Sequence, residues 1–274
     1  MTRTYVITGA GSGIGAKTAE LLRAAGHTVA GVDLKNAEVT ADLSTPEGRR
    51  DGAAAATKAV GGTVDGVIAC AGLSLDKAIT AKVNYFGVTE FLEALLPALG
   101  KSEAPRAAVV SSMSSLQPNH PPLVDALLNG DEDAAVAIAE EIADSANLIY
   151  ASTKRAVSRW VRRESIKENW AGAGIPLNAV GPGIVVTPMT APLLADPETA
   201  AMVDRMVPMP LNGHQQPESV ANLLIWLTSA ENSHTTGQTI YVDGGADATL
   251  RGEDAWTWAD AHVGEYFTSM AQQD

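Results

Sequence analysis

The chain has 274 residues, a net charge of −13 and a hydrophobic content of 46%, which is enough for a sizeable buried core. The acidic balance argues against nucleic acid and against an anionic membrane surface as partners, and no apolar run approaches the roughly 18 residues that a membrane-spanning helix needs. The single cysteine, Cys70, excludes an internal disulfide, and together with the lack of a signal-peptide pattern it predicts a cytoplasmic protein.

Apolar segments of strand length alternate with amphipathic segments of helix length from one end of the chain to the other. This alternation is typical of a parallel sheet with helices on both faces, and no repeat or flexible linker interrupts it. The sequence therefore predicts a single α/β domain with a doubly wound parallel sheet of about seven strands. Strands are predicted at 4–8, 28–33, 64–70, 106–112, 175–180 and 238–242, with a short one before Asp42, and helices at 13–25, 46–60, 83–99, 150–170 and 217–229.

The first strand runs directly into a glycine-rich turn, TGAGSGIG, which spans 8–15 and opens the first helix. Glycines at such a turn let the backbone approach a pyrophosphate, and the helix N-terminus offers free N–H groups to its oxygens. Asp33 ends the second strand, 18 residues after Gly15, where a carboxylate can bind the adenosine ribose and repel a 2′-phosphate. These features predict NAD rather than NADP, although Lys35 is a cation close enough to favour NADP, and a plain tight turn is the alternative for the glycines.

Two later segments could complete a cofactor site. Asp42 and Leu43 follow the short third strand, where the carboxylate could meet the adenine amino group. Cys70, Ala71 and Gly72 end the next strand with small side chains, against which a flat ring could lie. Turn chemistry accounts for either segment equally well.

Tyr150 and Lys154 lie four residues apart in the run YASTK, so they share one face of a predicted helix. A neighbouring ammonium favours the phenolate, and we therefore expect the pKa of Tyr150 to be lowered. A tyrosine tuned in this way can exchange a proton with an alcohol or a carbonyl near neutral pH. The spacing alone arises by chance in many helices, and the glycine-rich turn at the start of the chain gives it weight.

Together these motifs resemble those of the short-chain dehydrogenase/reductase family, whose members have a Rossmann fold. TGAGSGIG is similar to the family's glycine motif, CAG to its Asn-Ala-Gly with cysteine in the first place, and YASTK to its Tyr-Lys pair. VNYFG contains the family's asparagine, VVSSMSS its serine, and Pro182-Gly183 followed by Thr187 looks like its nicotinamide loop. ADLSTPEGR and YVDGGADA are similar to segments of the bacterial 3α-hydroxysteroid dehydrogenase/carbonyl reductases and of the related coniferyl alcohol dehydrogenases.

The resemblance implies an NAD-dependent oxidoreductase that transfers a hydride between the cofactor and an alcohol or its carbonyl compound. Tyr150 would be the general acid and base, Lys154 would lower its pKa and hold the nicotinamide ribose, and Ser112 would donate a hydrogen bond to the substrate oxygen. Asn84 would position a water that links Lys154 to solvent. The implied cofactor contacts are Gly9, Ser12, Gly13, Ile14, Gly15, Asp33, Asp42, Leu43, Cys70, Ala71, Gly72, Tyr150, Lys154, Pro182, Gly183, Val185 and Thr187.

Two of these roles have competing interpretations. Ser111, Ser114 and Ser115 compete with Ser112, and Asn84 could be a helix-interior residue bonded to backbone. The five histidines show no metal-ligand spacing, and the sequence has no Gly-x-Ser-x-Gly elbow of a serine hydrolase. We therefore expect no metal in the site.

Tyr150 lies 38 residues after Ser112, a much larger separation than the family resemblance implies. The excess, a helical insertion at about 116–148, includes a predicted amphipathic helix at 131–144 with an Ala/Val/Ile stripe. We expect this helix to cover the helix at 150–170 and to change the subunit interface, giving a homodimer or a homotetramer.

The segment at 188–212 carries four of the seven methionines. Flexible apolar side chains suit a lid over a hydrophobic substrate, and ordinary helix packing is the alternative. The expected substrate contacts are Ser114, Met189 and Met206. An aromatic tail at 251–274, expected to cover either the substrate entrance or a neighbouring subunit, contains Trp256, Trp258, Tyr266 and Phe267.

These features predict an enzyme that acts on a small hydrophobic alcohol or ketone, either a hydroxysteroid or another aromatic or cyclic alcohol. A coniferyl-type primary alcohol is the alternative substrate within the same chemistry. A nucleotide-sugar epimerase shares the Tyr-Lys pair, but Ser12 departs from its glycine motif. A non-catalytic NAD-binding regulator is the alternative of a different class.

Overall fold

The structure, a computed structural model, describes residues 2–143 and 147–256. Its strands are β1 (Thr4–Thr8), β2 (Thr28–Asp33), β3 (Val39–Thr40), β4 (Gly66–Ala69), β5 (Arg106–Val110), β6 (Leu177–Pro182) and β7 (Thr239–Val242). They form one parallel sheet in the order β3-β2-β1-β4-β5-β6-β7. Strands β2 and β3, which follow β1 in sequence, lie on one side of it, and β4 and the strands that follow it lie on the other side. A crevice therefore forms at the carboxyl ends of β1 and β4, where the strand order reverses.

Helices cover both faces of this sheet. They are α1 (Gly13–Ala24), α2 (Pro46–Ala59), α3 (Ile79–Ala81), α4 (Gly87–Leu99), α5 (Pro121–Leu128), α6 (Glu132–Glu141), α7 (Leu148–Glu164), α8 (Ala191–Ala195), α9 (Pro197–Met206), α10 (Pro217–Leu227) and α11 (Ala246–Arg251). Two π-helical turns, Lys82–Phe86 and Glu168–Gly172, and two 3₁₀ turns, Met113–Leu116 and Glu253–Trp256, complete the described elements. Within the described ranges, no helix combines the length and the apolar character that crossing a membrane requires.

Alternate residues of β1 enter two separate cores. Tyr5 and Ile7 pack into the core shared with α1 and α10, whereas Val6 packs into the larger core formed with α2, α4 and α7. Successive side chains of a strand point to opposite faces of the sheet, and both faces of this strand are apolar because both are covered. The predicted doubly wound parallel sheet is therefore confirmed.

Several element boundaries differ from the prediction. The predicted helix at 150–170 begins at Leu148 and ends at Glu164, and Trp170 belongs to a separate π-helical turn. The break lets Trp170, which is fully buried, pack edge-to-face on Trp160 with ring centroids 6.1 Å apart. A continuous helix with 3.6 residues per turn would have placed these two rings on different faces.

The insertion forms two helices, α5 and α6. The sequence predicted α6 but not the helix α5 before it. The stripe of α6 is buried inside the chain through Ala135 and Ala139, with Ile138 and Ile142 packed against the same core. α5 lies directly on α7, and α6 packs against α5 and α3, so the expectation that α6 itself covers α7 is wrong. The stripe needs no second subunit for its burial, and a homodimer or homotetramer stays a prediction.

The segment at 188–212 contains α8 and α9, and neither helix has a buried residue. Met189 and Met206 are 45% and 40% exposed. The tail is described only as far as Trp256, so Trp258, Tyr266 and Phe267 lie outside the described residues.

The orientation of α6 can be tested with two alanines of the same helix. Ala139→Asp places a carboxylate on its fully buried face, whereas Ala137→Asp places one on its exposed face. We expect the first change to lower the free energy of unfolding by about 2–4 kcal/mol, because the buried charge has no partner, and the second by less than about 0.5 kcal/mol. Urea denaturation followed by circular dichroism measures both. Equal losses would contradict this orientation.

Candidate active site

A cleft of about 350 Å³ lies at the carboxyl ends of the central strands. Every predicted cofactor contact lines it, from the glycine turn after β1 to the loop after β6. Ser112 lines it as well, beside Tyr150 and Lys154. The sheet topology thus brings together residues that the sequence separates by well over 100 positions.

The glycine turn after β1 is held against the end of β4. Gly9 has a φ of +68°, and a Cβ on it would lie 2.8 Å from the Ala71 nitrogen. A Cβ on Gly15 would collide with the Gly9 carbonyl oxygen. Ser12, the residue before α1, has an extended backbone and makes no side-chain capping bond. The start of α1 therefore reaches the cleft as bare backbone, the arrangement that binds phosphate groups.

Asp33 has both carboxylate oxygens engaged at one end of the cleft. Its Oδ2 accepts a hydrogen bond from the Gly11 N–H at 2.9 Å, and its Oδ1 accepts one from the Leu34 N–H at 2.7 Å. The side chain therefore braces the glycine turn while it lines the cleft. Lys35 does not line the cleft.

Asp42 and Cys70 belong to the two segments for which the sequence left open a cofactor contact or a plain turn, and both residues line the cleft. Asp42 accepts a hydrogen bond from the Ser44 N–H at 2.9 Å, and bonding to Ser44 lowers its pKa. The turn interpretation is thus correct for Asp42, and the residue also lines the cleft. Burial raises the pKa of the Cys70 thiol to about 12, so it forms a small uncharged part of the wall.

Tyr150 and Lys154 meet on one face of α7, at the cleft end nearest β5. The Lys154 ammonium donates a hydrogen bond to the Val110 carbonyl at 2.8 Å and lies 5.6 Å from the centroid of the Tyr150 ring. Burial lowers the pKa of Lys154 to about 8.

The pKa of Tyr150 is raised by burial, and hydrogen bonding with Ser112 opposes this effect without reversing it. The prediction of a lowered Tyr150 pKa is therefore wrong for the chain by itself. Desolvation is the larger effect, and the ammonium of Lys154 donates to a backbone carbonyl.

The hydrogen-bond partners of the four serines distinguish which of them could bind the substrate oxygen. The Ser111 hydroxyl bonds to Ser158 at 2.7 Å, and the Ser115 hydroxyl bonds to the Tyr241 hydroxyl at 2.9 Å. Ser114 does not line the cleft, and its N–H donates to the Ser112 hydroxyl oxygen at 3.1 Å. Ser111 also lines the cleft, but its hydroxyl contacts Ser158 and the Lys154 carbonyl. Ser112 combines a cleft position with a hydrogen bond to Tyr150.

Asn84 is fully buried and bonds to backbone, as the alternative interpretation expects. Its side-chain amide accepts from the Leu73 N–H at 2.7 Å and donates to the Leu73 carbonyl at 2.9 Å and to the Thr153 hydroxyl at 3.1 Å. These bonds join the segment that follows β4 to α7. Both side-chain amide hydrogens are thus taken by protein acceptors, and the role of Asn84 in positioning a water stays a prediction.

The predicted substrate contacts are only partly in the cleft. Met189 lines it, but Ser114 and Met206 do not. The Met206 carbonyl accepts a hydrogen bond from Gln117. The cleft is also lined by apolar residues that follow β4 and enter α3 and the first π-helical turn. They are Leu73, Ile79 and Val83, and sequence periodicity gave no signal for them because they occupy a loop and a short irregular helix.

Comparison with known proteins agrees with this site. Residues 3–121 match the family model described as short chain dehydrogenase, and residues 134–247 match one described as Enoyl-(Acyl carrier protein) reductase. The chain is 39% identical over 252 residues to the 3-alpha-hydroxysteroid dehydrogenase/carbonyl reductase of Comamonas testosteroni, an alignment that covers 90% of this chain and 97% of the relative. The chain belongs to the short-chain dehydrogenase/reductase family.

Two further similarities extend the comparison. The coniferyl-alcohol dehydrogenase of a Pseudomonas species is 29% identical, with 90% of this chain and 97% of the relative covered. The crystal structure of the 3-alpha-hydroxysteroid dehydrogenase from Pseudomonas sp. B-0831 complexed with NADH superposes with a TM-score of 0.84 at 40% identity, covering 91% of this chain and 99% of that one. Members of this family are oxidoreductases, so the prediction of an enzyme is confirmed over that of a non-catalytic regulator.

Short-chain dehydrogenases use a nicotinamide cofactor, and the cleft residues of this member fit one. The positions of Gly9 and Gly15 leave no room for side chains beside the turn, which keeps backbone N–H groups accessible to phosphates. No group of His, Cys, Asp and Glu in the described ranges is arranged to hold a metal ion. His214 pairs with Asp204 of α9 at 2.7 Å.

Lys154→Met tests the buried ammonium of this dehydrogenase. Because burial lowers the pKa of Lys154 from its usual 10.5 to about 8, the folded chain releases this proton before the unfolded chain does as the pH rises. The stability of the wild type should therefore increase relative to that of Lys154→Met between pH 8 and pH 10.5. The gain should be on the order of 3 kcal/mol at most. Urea unfolding of both proteins across this range measures it, and a constant difference would show that Lys154 titrates normally.

Proposed function

We propose that this enzyme is an NAD-dependent dehydrogenase that interconverts a hydrophobic hydroxysteroid-like or cyclic alcohol and its carbonyl compound. Tyr150 acts as the general acid and base. The observation that carries the proposal is the meeting of Ser112, Tyr150 and Lys154 at one end of a cleft whose other end presents Asp33.

The cofactor end favours NAD. The Asp33 carboxylate lies where the adenosine ribose would bind, and no cationic side chain other than the buried Lys154 lines the described cleft. A 2′-phosphate beside Asp33 would meet a negative charge without compensation. The relative crystallised with NADH supports the same choice.

The proton chemistry depends on Tyr150 and its two neighbours. When bound, NAD supplies hydride transfer at its nicotinamide ring. The raised pKa keeps the Tyr150 phenol protonated at neutral pH, which suits donation of a proton to a carbonyl oxygen. Ser112 donates a second hydrogen bond to the same oxygen and stabilises charge that develops there. Lys154, which donates a hydrogen bond to the Val110 carbonyl, would hold the nicotinamide ribose.

Apolar side chains of the cleft suit a hydrophobic substrate. The cleft lining includes Leu73, Ile79, Val83 and Met189, and such a lining disfavours sugars and acids. The names of the Comamonas and Pseudomonas relatives support a hydroxysteroid. A coniferyl-type primary alcohol is the second candidate, supported by the Pseudomonas relative that aligns over 90% of this chain. A screen that follows NADH absorbance with hydroxysteroids, coniferyl-type alcohols and small cyclic alcohols separates these substrates. We also propose a cytoplasmic location, which the single cysteine supports.

Tyr150→Phe removes only the proton that the phenol can transfer. We expect kcat to fall by about 10²- to 10⁴-fold while NADH binding stays nearly unchanged. Tyr85→Phe is the matched control, because Tyr85 is buried but does not line the cleft, and it should retain activity. NADH absorbance measures turnover, and NADH fluorescence measures binding. Substantial activity in Tyr150→Phe would exclude the phenol as the proton donor.

Cofactor choice is tested by Asp33→Ser combined with Leu34→Arg, since Leu34 is 62% exposed beside the carboxylate. The double variant should shift the ratio of kcat/KM for NAD to that for NADP toward NADP by about tenfold or more, because like-charge juxtaposition costs several kcal/mol. Leu34→Arg alone keeps the carboxylate and should shift the ratio less. A wild type that already prefers NADP would refute the role given to Asp33.

A further inference from the structure

Arg49 is a fully buried cation that takes no part in the proposed chemistry. It lies in the first turn of α2 and is 1% exposed. An arginine offers five N–H donors, and each donor of Arg49 has an acceptor. The acceptors are the Leu43 carbonyl at 2.9 Å, the Ser44 carbonyl at 3.2 Å, Glu90 at 3.1 Å and the two oxygens of Glu132 at 2.7 and 2.8 Å.

Two of these acceptors belong to the loop that carries Asp42 and Leu43 into the cofactor cleft. The Leu43 and Ser44 carbonyls bond to the guanidinium of Arg49, while Asp42 and Leu43 line the cleft. The loop is confined on a second side by α4, because a Cβ on Gly87 would lie 3.1 Å from the Leu43 carbonyl oxygen. Arg49 therefore sets the position of the backbone from which the adenosine-binding side chains project.

The other acceptors belong to distant parts of the chain. Glu132 is the first residue of α6 in the insertion, and it binds Arg49 through two parallel hydrogen bonds over a separation of 83 residues. Glu90 of α4 adds a third, and the Phe86 ring lies 5.5 Å from the guanidinium carbon. Glu132 is only 21% exposed, so this ion pair is largely shielded from solvent and from screening by salt.

We propose that Arg49 is a positioning residue for the adenosine half of the cofactor, and that the insertion acts on cofactor affinity through Glu132. This inference rests on the proposed NAD-dependent function. It assigns the insertion a role at the cofactor end of the cleft, although in the chain it lies between the catalytic serine and tyrosine. The planar fork of arginine can bond two loop carbonyls and a carboxylate at once, whereas the three donors of a lysine ammonium cannot reproduce this geometry.

Three single variants test the proposal. Glu132→Gln keeps the shape of the side chain but removes its charge and one of its two acceptor oxygens. Arg49→Lys keeps the buried charge but loses the fork. Asp133→Asn is the matched control, because Asp133 is the exposed neighbour of Glu132 and is not a partner of Arg49. For each, the dissociation constants of NAD and of AMP, kcat at saturating NAD and the melting temperature are measured.

We expect Glu132→Gln to weaken the binding of both NAD and AMP by about tenfold and Arg49→Lys to weaken it further, because small displacements of a binding group have large effects. At saturating NAD, kcat should stay within about twofold of the wild type, since Tyr150, Lys154 and Ser112 are untouched. Asp133→Asn should bind AMP like the wild type. AMP is the informative probe because it contains only the adenosine half.

A merely structural role would lower the melting temperature and leave the AMP affinity of the folded protein unchanged, and that result would overturn the proposal. Loss of kcat at saturating NAD without loss of AMP affinity would overturn it as well. If Arg49→Lys fails to fold, Glu132→Gln decides alone, because its side chain lies at the edge of the cluster. Wild-type affinities for AMP and NAD in all three variants would refute the positioning role, whereas a wild type that does not bind NAD would refute the proposed function itself.

Discussion

The contacts of the glycine turn after β1 with β2 and with the segment after β4 determine the shape of the whole site. Gly9 donates its N–H to the Val32 carbonyl at 2.9 Å, and the Thr8 hydroxyl accepts from the Ala71 N–H at 3.1 Å. A side chain on Gly9 or Gly15 would push these segments apart. Because the turn is this tight, the start of α1 and the floor of the cleft come within reach of one elongated ligand.

Burial is the second determinant, and it acts on both members of the Tyr-Lys pair. It raises the pKa of Tyr150 and lowers that of Lys154, because a charged form is disfavoured in each case. At neutral pH the chain thus presents a protonated phenol near an ammonium, and the hydroxyl of Ser112 is hydrogen-bonded to the phenol. Three proton donors at one end of a cleft suit an incoming carbonyl oxygen, while removal of a proton from an alcohol becomes easier at higher pH.

The insertion is part of the domain rather than an appendage to it. Its helix α5 packs on α7. Helix α6 buries Ala135 and Ala139 in the main core, and its first residue, Glu132, forms an ion pair with Arg49. Removal of one partner of such a buried pair is costly, because it leaves the other charge without compensation. The insertion therefore connects the catalytic helix with the loop at the opposite end of the cleft.

Local patterns in the sequence determined the strand–helix alternation, the glycine turn, Asp33 at the end of β2 and the pairing of Tyr150 with Lys154, because each depends on the periodicity or the spacing of neighbouring residues. The structure decided what depends on distant residues. It distinguished Ser112 from three adjacent serines, broke the helix before Trp170 so that this ring meets Trp160, and reversed the expected pKa shift of Tyr150. It also joined Glu132 to Arg49. Desolvation and long-range contacts exist only once the chain has folded, and a linear sequence does not encode them in any local pattern.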